Sequence, residues 1–403
     1  MSVLDDIKRP AGWACTPFGR VARRVQESGR PDLEPLSVFL GAGVIRRYSR
    51  EDNHNRLGED MSKYLVVQPG DIVFNKLRTW QGGLGASQHE GIVSPAYFVC
   101  RPSPDFDSRF LQYLLLSSAY LQELTRLSKW QPPSQFDIGW EQLKLLAVMS
   151  PPFVDQRTIA DFLDRETGRI DALITAKRRM VELLEERIVS VAAEAIDDCG
   201  QHRVIKLGQV LERIIDYRGA TPEKTDGGVP LLTASNVIDG RIDLESSPQF
   251  VSPSTYVAWM RRGLPQRGDV LLTTEAPLGE VAVMEDLDVA LAQRLMLLRP
   301  RRDLVRSEFL HVYLRSPQGR KELLARASGS TVMGVRTDRL RDLPVIVPSF
   351  AAQDAVVRRL AQVERSARAI VACTDRQIDL LAEHRQALIT AAVTGELDVG
   401  VAA

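Results

Sequence analysis

FVDQRTIADFLDRETGRIDALITAKRRMVELLEERIVSVAAEAI, residues 153–196, is answered 197 residues later by FAAQDAVVRRLAQVERSARAIVACTDRQIDLLAEHRQALITAAV, residues 350–393, with no gap between them in register. In the first stretch Ile170, Ile174, Lys177, Val181, Leu184, Ile188, Val191 and Ala195 fall alternately four and three residues apart. Ala367, Val371, Thr374, Ile378, Leu381, Arg385, Leu388 and Ala392 repeat the spacing in the second. Such a period predicts a long amphipathic helix in each place. A stripe of this kind buries itself against another helix, and the simplest partner for each is the other copy, as a two-stranded coiled coil. About 40 residues at a 1.5 Å rise span roughly 60 Å, a spacer rather than a core element. Lys177, Thr374 and Arg385 interrupt the stripe and are expected to be partly solvated, and Gly168 weakens the first helix locally.

Working outward from the helices, the rest of the chain is duplicated too. PGDIVF at 69–74 is matched by RGDVLL at 267–272, CRP at 100–102 by LRP at 298–300, FLQYLLLSS from Phe110 by FLHVYLRSP from Phe309, and SPPFVDQ at 150–156 by VPSFAAQ at 347–353. The chain is therefore two copies of one unit of just under 200 residues. Within each copy, β-rich runs bounded by turn residues predict strands over 64–67, 72–74 and 97–99, and over 270–274, 281–284 and 295–299. Leu and Tyr at three and four residues apart predict helices over 109–128 and 307–327. Strands, then a helix, then a Pro-bounded loop into a long helix is an α+β order. The expected boundaries are 1–152 and 201–348 for the globular parts, with 153–200 and 349–403 as long helices.

Composition narrows the class. The 403 residues allow two or three domains, and 22 Pro with 27 Gly exclude a low-complexity or collagen-like chain. Cys15, Cys100, Cys199 and Cys373 lie far apart with no Cys-x-x-Cys, which argues against a zinc ribbon, a redox pair or a disulfide scaffold and fits a reducing compartment. No stretch is long and apolar enough for a signal peptide or a membrane span, so a cytoplasmic protein is expected, with no membrane partner. Zero net charge, from 52 basic and 52 acidic residues, argues against holding nucleic acid by bulk electrostatics. By segment the charge alternates: +2 over 1–150, −4 over 151–202, +3 over 203–348 and −1 over 349–403.

Catalytic signatures are missing. The chain has no G-x-x-x-x-G-K-[ST], no H-E-x-x-H and no G-x-S-x-G, and its five histidines, His54, His89, His202, His311 and His384, are scattered. No catalytic, cofactor-binding or metal-binding residue is assigned, and no cofactor is expected. Gly83-Leu84-Gly85 reads as a turn, and Arg267-Gly268-Asp269 as a strand-entry turn matching Pro69-Gly70-Asp71. Ser150-Pro151-Pro152-Phe153 fits the loop with which DNA amino-methyltransferases hold a flipped base. Its counterpart in copy two is Val347-Pro348-Ser349-Phe350, however, and both precede the long helix, so ending a strand and starting a helix is the better reading.

What remains are polar segments at matching places. Copy one carries Lys76, Arg78, Trp80 and Gln81 after a strand and Lys129-Trp130-Gln131 after a helix. Copy two carries Thr273-Thr274 in the first place and Ser330-Thr331 followed by Arg336 in the second. Cations, amides, hydroxyls and aromatics in such loops make contacts to base edges, bind phosphates and stack.

GDIVFNKLRTWQGGLGAS (70–87), GIVSPAYFVCRP (91–102), KWQPPSQFDI (129–138) and PPFVDQRTIADFLDRETGRIDALI (151–174) together resemble the specificity subunit of type I restriction-modification systems. GDVLLTTEAPLGE (268–280), LAQRLMLLRP (291–300), GSTVMGVRTDRLRDLPVIVPS (329–349) and LLAEHRQALITAAVTGELD (380–398) extend the resemblance over nearly the whole chain. It implies a non-catalytic reader of double-stranded DNA: two target-recognition domains, each reading one half of a bipartite asymmetric site, and an antiparallel helix pair fixing the gap. It also implies docking of two methylation subunits and recruitment of a restriction subunit that translocates DNA. Thr274-Glu275 departs from the basic residue that family members often place after the Gly-Asp-Val-Leu strand. A coiled-coil scaffold that touches no DNA and a self-sufficient DNA methyltransferase are the alternatives.

Overall fold

A computed structural model describes residues 3–49, 60–131, 135–217, 221–285, 288–329 and 333–400. The chain forms two compact units, Met1–Lys177 with Asp375–Ala403, and Arg178–Thr374.

In the first unit an antiparallel sheet is built from β1 (Ala22–Val25), β2 (Ile72–Asn75), β3 (Leu84–Ala86) and β4 (Tyr97–Pro102), in the order β1-β4-β2-β3. The two-residue period puts Ile72, Phe74, Phe98 and Cys100 on one face and Val73 and Val99 on the other. The first face packs on Phe110, Leu111 and Leu114 of α1 (Ser108–Leu116), the second on Val38, Val44, Val67 and Val93 from neighbouring short strands. A hairpin of β5 (Lys129–Gln131) and β6 (Gln135–Asp137) follows α2 (Ser118–Leu127), and β7 (Ala147–Ser150) leads into α3 (Phe153–Asp197).

The second unit repeats this order. β8 (Leu211–Asp216), β9 (Val270–Thr274), β10 (Leu278–Val283) and β11 (Leu295–Pro300) pair as β8-β11-β9-β10. Val270, Leu272, Met296 and Leu298 face Phe309 and Leu310 of α4 (Ser307–Arg315), while Leu271 and Leu297 face Leu231 and Leu232. α5 (Pro317–Leu324) and β12 (Pro344–Pro348) lead into α6 (Phe350–Thr394).

The repeated dipeptides have a shared cause. Buried Asp71 accepts from the Arg101 guanidinium at 2.8 and 2.9 Å and from the Gln68 amide at 2.9 Å. Asp269 does the same with Arg299, at 2.8 Å to each oxygen, and with the Gln266 amide at 2.8 Å. Gly70 and Gly268, at φ +90° and +89°, make the turn that brings each acid in. The glutamine beginning each long helix is a second shared clamp. Gln156 Oε1 accepts from the Asp107 amide while its Nε2 donates to the carbonyls of Asp105 and Pro151. Gln353 binds the Arg306 amide and the carbonyls of Leu304 and Pro348 in the same way. Ser150 ends β7 and Phe153 begins α3, as the helix-start reading of the Pro-Pro sequence expects.

Two expectations need correcting. The helices expected over 109–128 and 307–327 are each broken in two, at Ser117 (φ −66°, ψ 151°) and at Ser316 (φ −64°, ψ 159°). In both, the serine hydroxyl donates to the carbonyl three residues back, and in the second Pro317 opens the next helix while Ser316 caps it. Of the polar members of the helical stripe, Lys177 and Arg385 are partly solvated as expected, and Thr374 is not. Thr374 is 2% exposed, Lys177 donates to Gln377 at 2.6 Å, and Arg385 pairs with Asp171 at 3.0 Å.

The long helices pack against each other as an antiparallel pair. Within the first unit Asp171 meets Arg385 and Lys177 meets Gln377; within the second, Glu194 and Asp198 meet Arg359. The stripe residues are all buried or half-buried, and α3 runs unbroken through Gly168. Ile159, Ala160 and Leu163 of α3 join Ile389, Ala392 and Val393 of α6 in the first core. Val191, Ala195 and Ile196 of α3 join Val356 and Leu360 of α6 in the second. In the first unit Leu4 is buried, Val399 packs on the same core, and a Cβ on Gly395 would collide with the Pro10 ring.

Candidate nucleic-acid interface

In copy one the chain turns sharply after β2. The Asn75 carbonyl accepts from the Arg78 amide at 2.9 Å and the Thr79 hydroxyl at 2.8 Å, and the Asn75 side chain accepts from the Leu77 amide. Gly82, at φ +85°, closes the turn, and a Cβ on Gly83 would stand 2.7 Å from the Arg78 carbonyl. The double glycine therefore lets the loop fold under itself and hold Leu77, Arg78 and Gln81 outward, all exposed. Lys76 and Trp80 are half-buried, the Trp80 indole donating to the Leu77 carbonyl at 3.2 Å.

The β5–β6 hairpin reaches the same place, since the Ile138 amide donates to the Lys76 carbonyl at 3.4 Å. Phe136 links the two pieces: its ring centroid lies 5.2 Å from Trp80 and 4.9 Å from Trp130. Offset and edge-on contacts of this kind are favourable and hold the rings in fixed orientations. Trp130 stays 49% exposed and Lys129 is exposed beside it, while Gln131 pairs with Gln135 in the hairpin. The fold thus gathers Lys76, Arg78, Trp80, Gln81, Lys129 and Trp130 into one loop-and-hairpin surface, with the Gln131 backbone in the same hairpin. Burial pushes the Tyr97 phenol above its ordinary pKa, with Arg47 and Arg78 pulling the other way.

Copy two is different. Thr273 and Thr274 are fully buried, which corrects their assignment as contact residues. β9 runs through Thr274, with a register shift between Leu272 and Thr274, so its turn begins one residue later than the turn at Lys76. Thr273 Oγ1 accepts from the Glu280 amide at 2.8 Å, and the groups presented outward are Glu275 and Arg294, 3.9 Å apart. Arg336 is exposed and pairs loosely with Asp338 at 3.3 Å. Ser330 and Thr331 lie outside the described residues.

Residues 204–378 match the family of the type I restriction modification DNA specificity domain. The EcoKI specificity subunit of Escherichia coli strain K12 is 22% identical over 361 residues, 82% of this chain and 75% of that protein. The chain is similar to the type I specificity subunits. The EcoBI specificity subunit of Escherichia coli is 23% identical over 277 residues, covering 61% of this chain and 57% of that one. Two solved structures share the fold of this chain. A chain from work on complex assembly and conformational transition of the type I R-M system, 20% identical, matches with a TM-score of 0.75 over 97% of this chain and all of that one. The HsdS subunit from Thermoanaerobacter tengcongensis, 19% identical, matches with a TM-score of 0.56 over 98% and 100%.

Sequence reasoning missed Phe136 and Arg24. Phe136 sits in the quoted hairpin but carries no polar group, and Arg24 lies about 50 residues before the loop it joins in space. Among the described residues no cluster of His, Cys, Asp or Glu could hold a metal ion, and no helix is long and apolar enough to cross a membrane.

Proposed function

We propose that this chain is a specificity subunit that reads a bipartite, asymmetric DNA sequence, one half with each copy of its duplicated reader, while the paired long helices set the gap. The readers are residues 1–152 and 201–348, and the spacers 153–200 and 349–403. The subunit is non-catalytic. It acts in the cytoplasm, in a complex with two methylation subunits that do the chemistry and a restriction subunit that translocates DNA.

The observation that carries the reading is the loop-and-hairpin surface of copy one, where exposed Arg78, Gln81, Lys129 and Trp130 are held on a rigid aromatic base. Arg and amide groups fixed in this way suit the major-groove pattern of guanine and adenine. In copy two the contacts fall to Arg336 with Ser330 and Thr331. Zero net charge fits a subunit whose partners supply much of the phosphate contact. Single-molecule methylome sequencing of a host expressing this chain with and without its methylation subunits tests the reading. A bipartite methylated motif appearing only with both is expected; a motif with this chain alone, or none from an active methylation partner, overturns it.

A further inference from the structure

Beneath the loop that carries Arg78, two cations stand over one aromatic ring. The Arg24 guanidinium lies 4.7 Å from the Phe98 centroid and 6.0 Å from that of Trp140, and Lys76 Nζ lies 5.3 Å from the Phe98 centroid. Neither side chain makes an ion pair or a hydrogen bond among the described residues, and Arg24 Nε is buried with no acceptor. A cation over an aromatic face is worth on the order of 0.5–2 kcal/mol, but a buried N–H left unpaired costs about 1–3 kcal/mol. A second positive charge at the same ring adds repulsion. Two cations at one ring with no carboxylate paired to them suit an anion with several acceptor oxygens.

Copy two carries no cation at the same position. FGRVARRV at 18–25 matches LGQVLERI at 207–214, and Gly19 and Gly208 are equivalent in space, since each packs on the equivalent residue, Lys144 or Arg341. β8 then shifts register between Leu211 and Arg213, so Arg213 lies opposite Arg299 as Arg23 lies opposite Arg101, and Ile214 takes the place of Arg24. Lys76 corresponds to buried Thr274, and Phe98 to Met296. Among the described residues, the first copy alone therefore carries a pair of cations at the foot of its reading loop.

We propose that Arg24 and Lys76, held on Phe98 and Trp140, form a seat for one DNA backbone phosphate that fixes the register of the first reader on its half-site. The inference rests on the DNA-reading function proposed above. Phosphate contacts of this kind position a protein on the duplex without carrying sequence information.

The test is a salt titration of the complex between this chain and its methylation subunits, on a duplex carrying its target and on an unrelated duplex. With Arg24→Gln, affinity for both duplexes falls by a similar factor, on the order of tenfold at 0.1 M salt, and the slope of log K against log salt flattens by about 0.9. The methylated motif stays the same. Lys76→Gln repeats the loss, and Arg24→Lys, which keeps the charge, retains most of the slope. Unchanged slopes in both glutamine variants overturn the proposal and leave a packing contact only. A loss confined to the target duplex, with one base of the first half-site relaxed, also overturns it and makes Arg24 a base reader. Failure of the unaltered complex to prefer its target refutes the DNA-reading function instead.

Discussion

At the scale of single residues, the recurring Gly-Asp and Arg-Pro dipeptides are two ends of one ion pair. Asp71 and Arg101, like Asp269 and Arg299, are joined because neighbouring strands lie side by side. Their recurrence was visible in the sequence. Their pairing was not, because it depends on strand register, and a buried pair of this sort fixes geometry more than it adds stability. His311 shows the limit from the other side. It reads as one of five scattered histidines, yet its Nε2 is buried without a partner, and shielding from solvent, with Arg315 nearby, pushes its pKa down to about 4. The folded state therefore disfavours protonation, and the unfolded chain, titrating near 6.5, binds the proton more tightly. The stability that goes with the neutral ring is whole above pH 6.5 and is lost as pH falls toward 4, at most about 1.4 kcal/mol per unit of pKa difference. Chemical denaturation of His311→Gln across that range is expected to show a flatter pH profile than the unaltered chain; an identical profile rules His311 out as the source.

At the scale of elements, the long helices were legible because neither a strand nor a loop keeps its apolar residues three and four apart over so many turns. The two shorter helices were misjudged for a related reason. The apolar spacing of FLQYLLLSSAYLQEL continues across Ser117, and spacing alone does not report one extended residue between two helices. In copy two Ser316-Pro317 was a readable break, since proline suits a first helical position. The buried threonines at 273 and 274 were misplaced because aligned residues were assumed to be equally exposed, whereas β9 extends one residue beyond its counterpart β2. If α3 and α6 act as a ruler, adding one matched heptad to each lengthens the pair by about 10 Å. Methylome sequencing of that variant with its partners is expected to return both half-sites unchanged with a gap about three base pairs longer, and an unaltered gap would sink the ruler.

At the scale of the whole molecule, the duplication was clear in the sequence, but the way each core is completed was not. Contiguous boundaries suggest that residues 1–152 close their own core. Instead the first core takes in Ile389, Ala392 and Val393 from the far end of the chain, and Leu4 and Val399 share it. Sequence distance hides this, because a helix paired with its antiparallel partner returns the last residues to the first unit. The meeting of Pro10 with Gly395 has a consequence for how the polypeptide may be ordered. A circular permutant, with residues 3 and 400 joined by a short Gly-Ser linker and new ends opened at Gly200, where φ is +74° and no Cβ would meet a neighbour, keeps every core contact described. It is expected to fold and to direct methylation to the same motif, as methylome sequencing of a host carrying it with the methylation subunits would show. Which reader is translated first is then a matter of where the circle was cut.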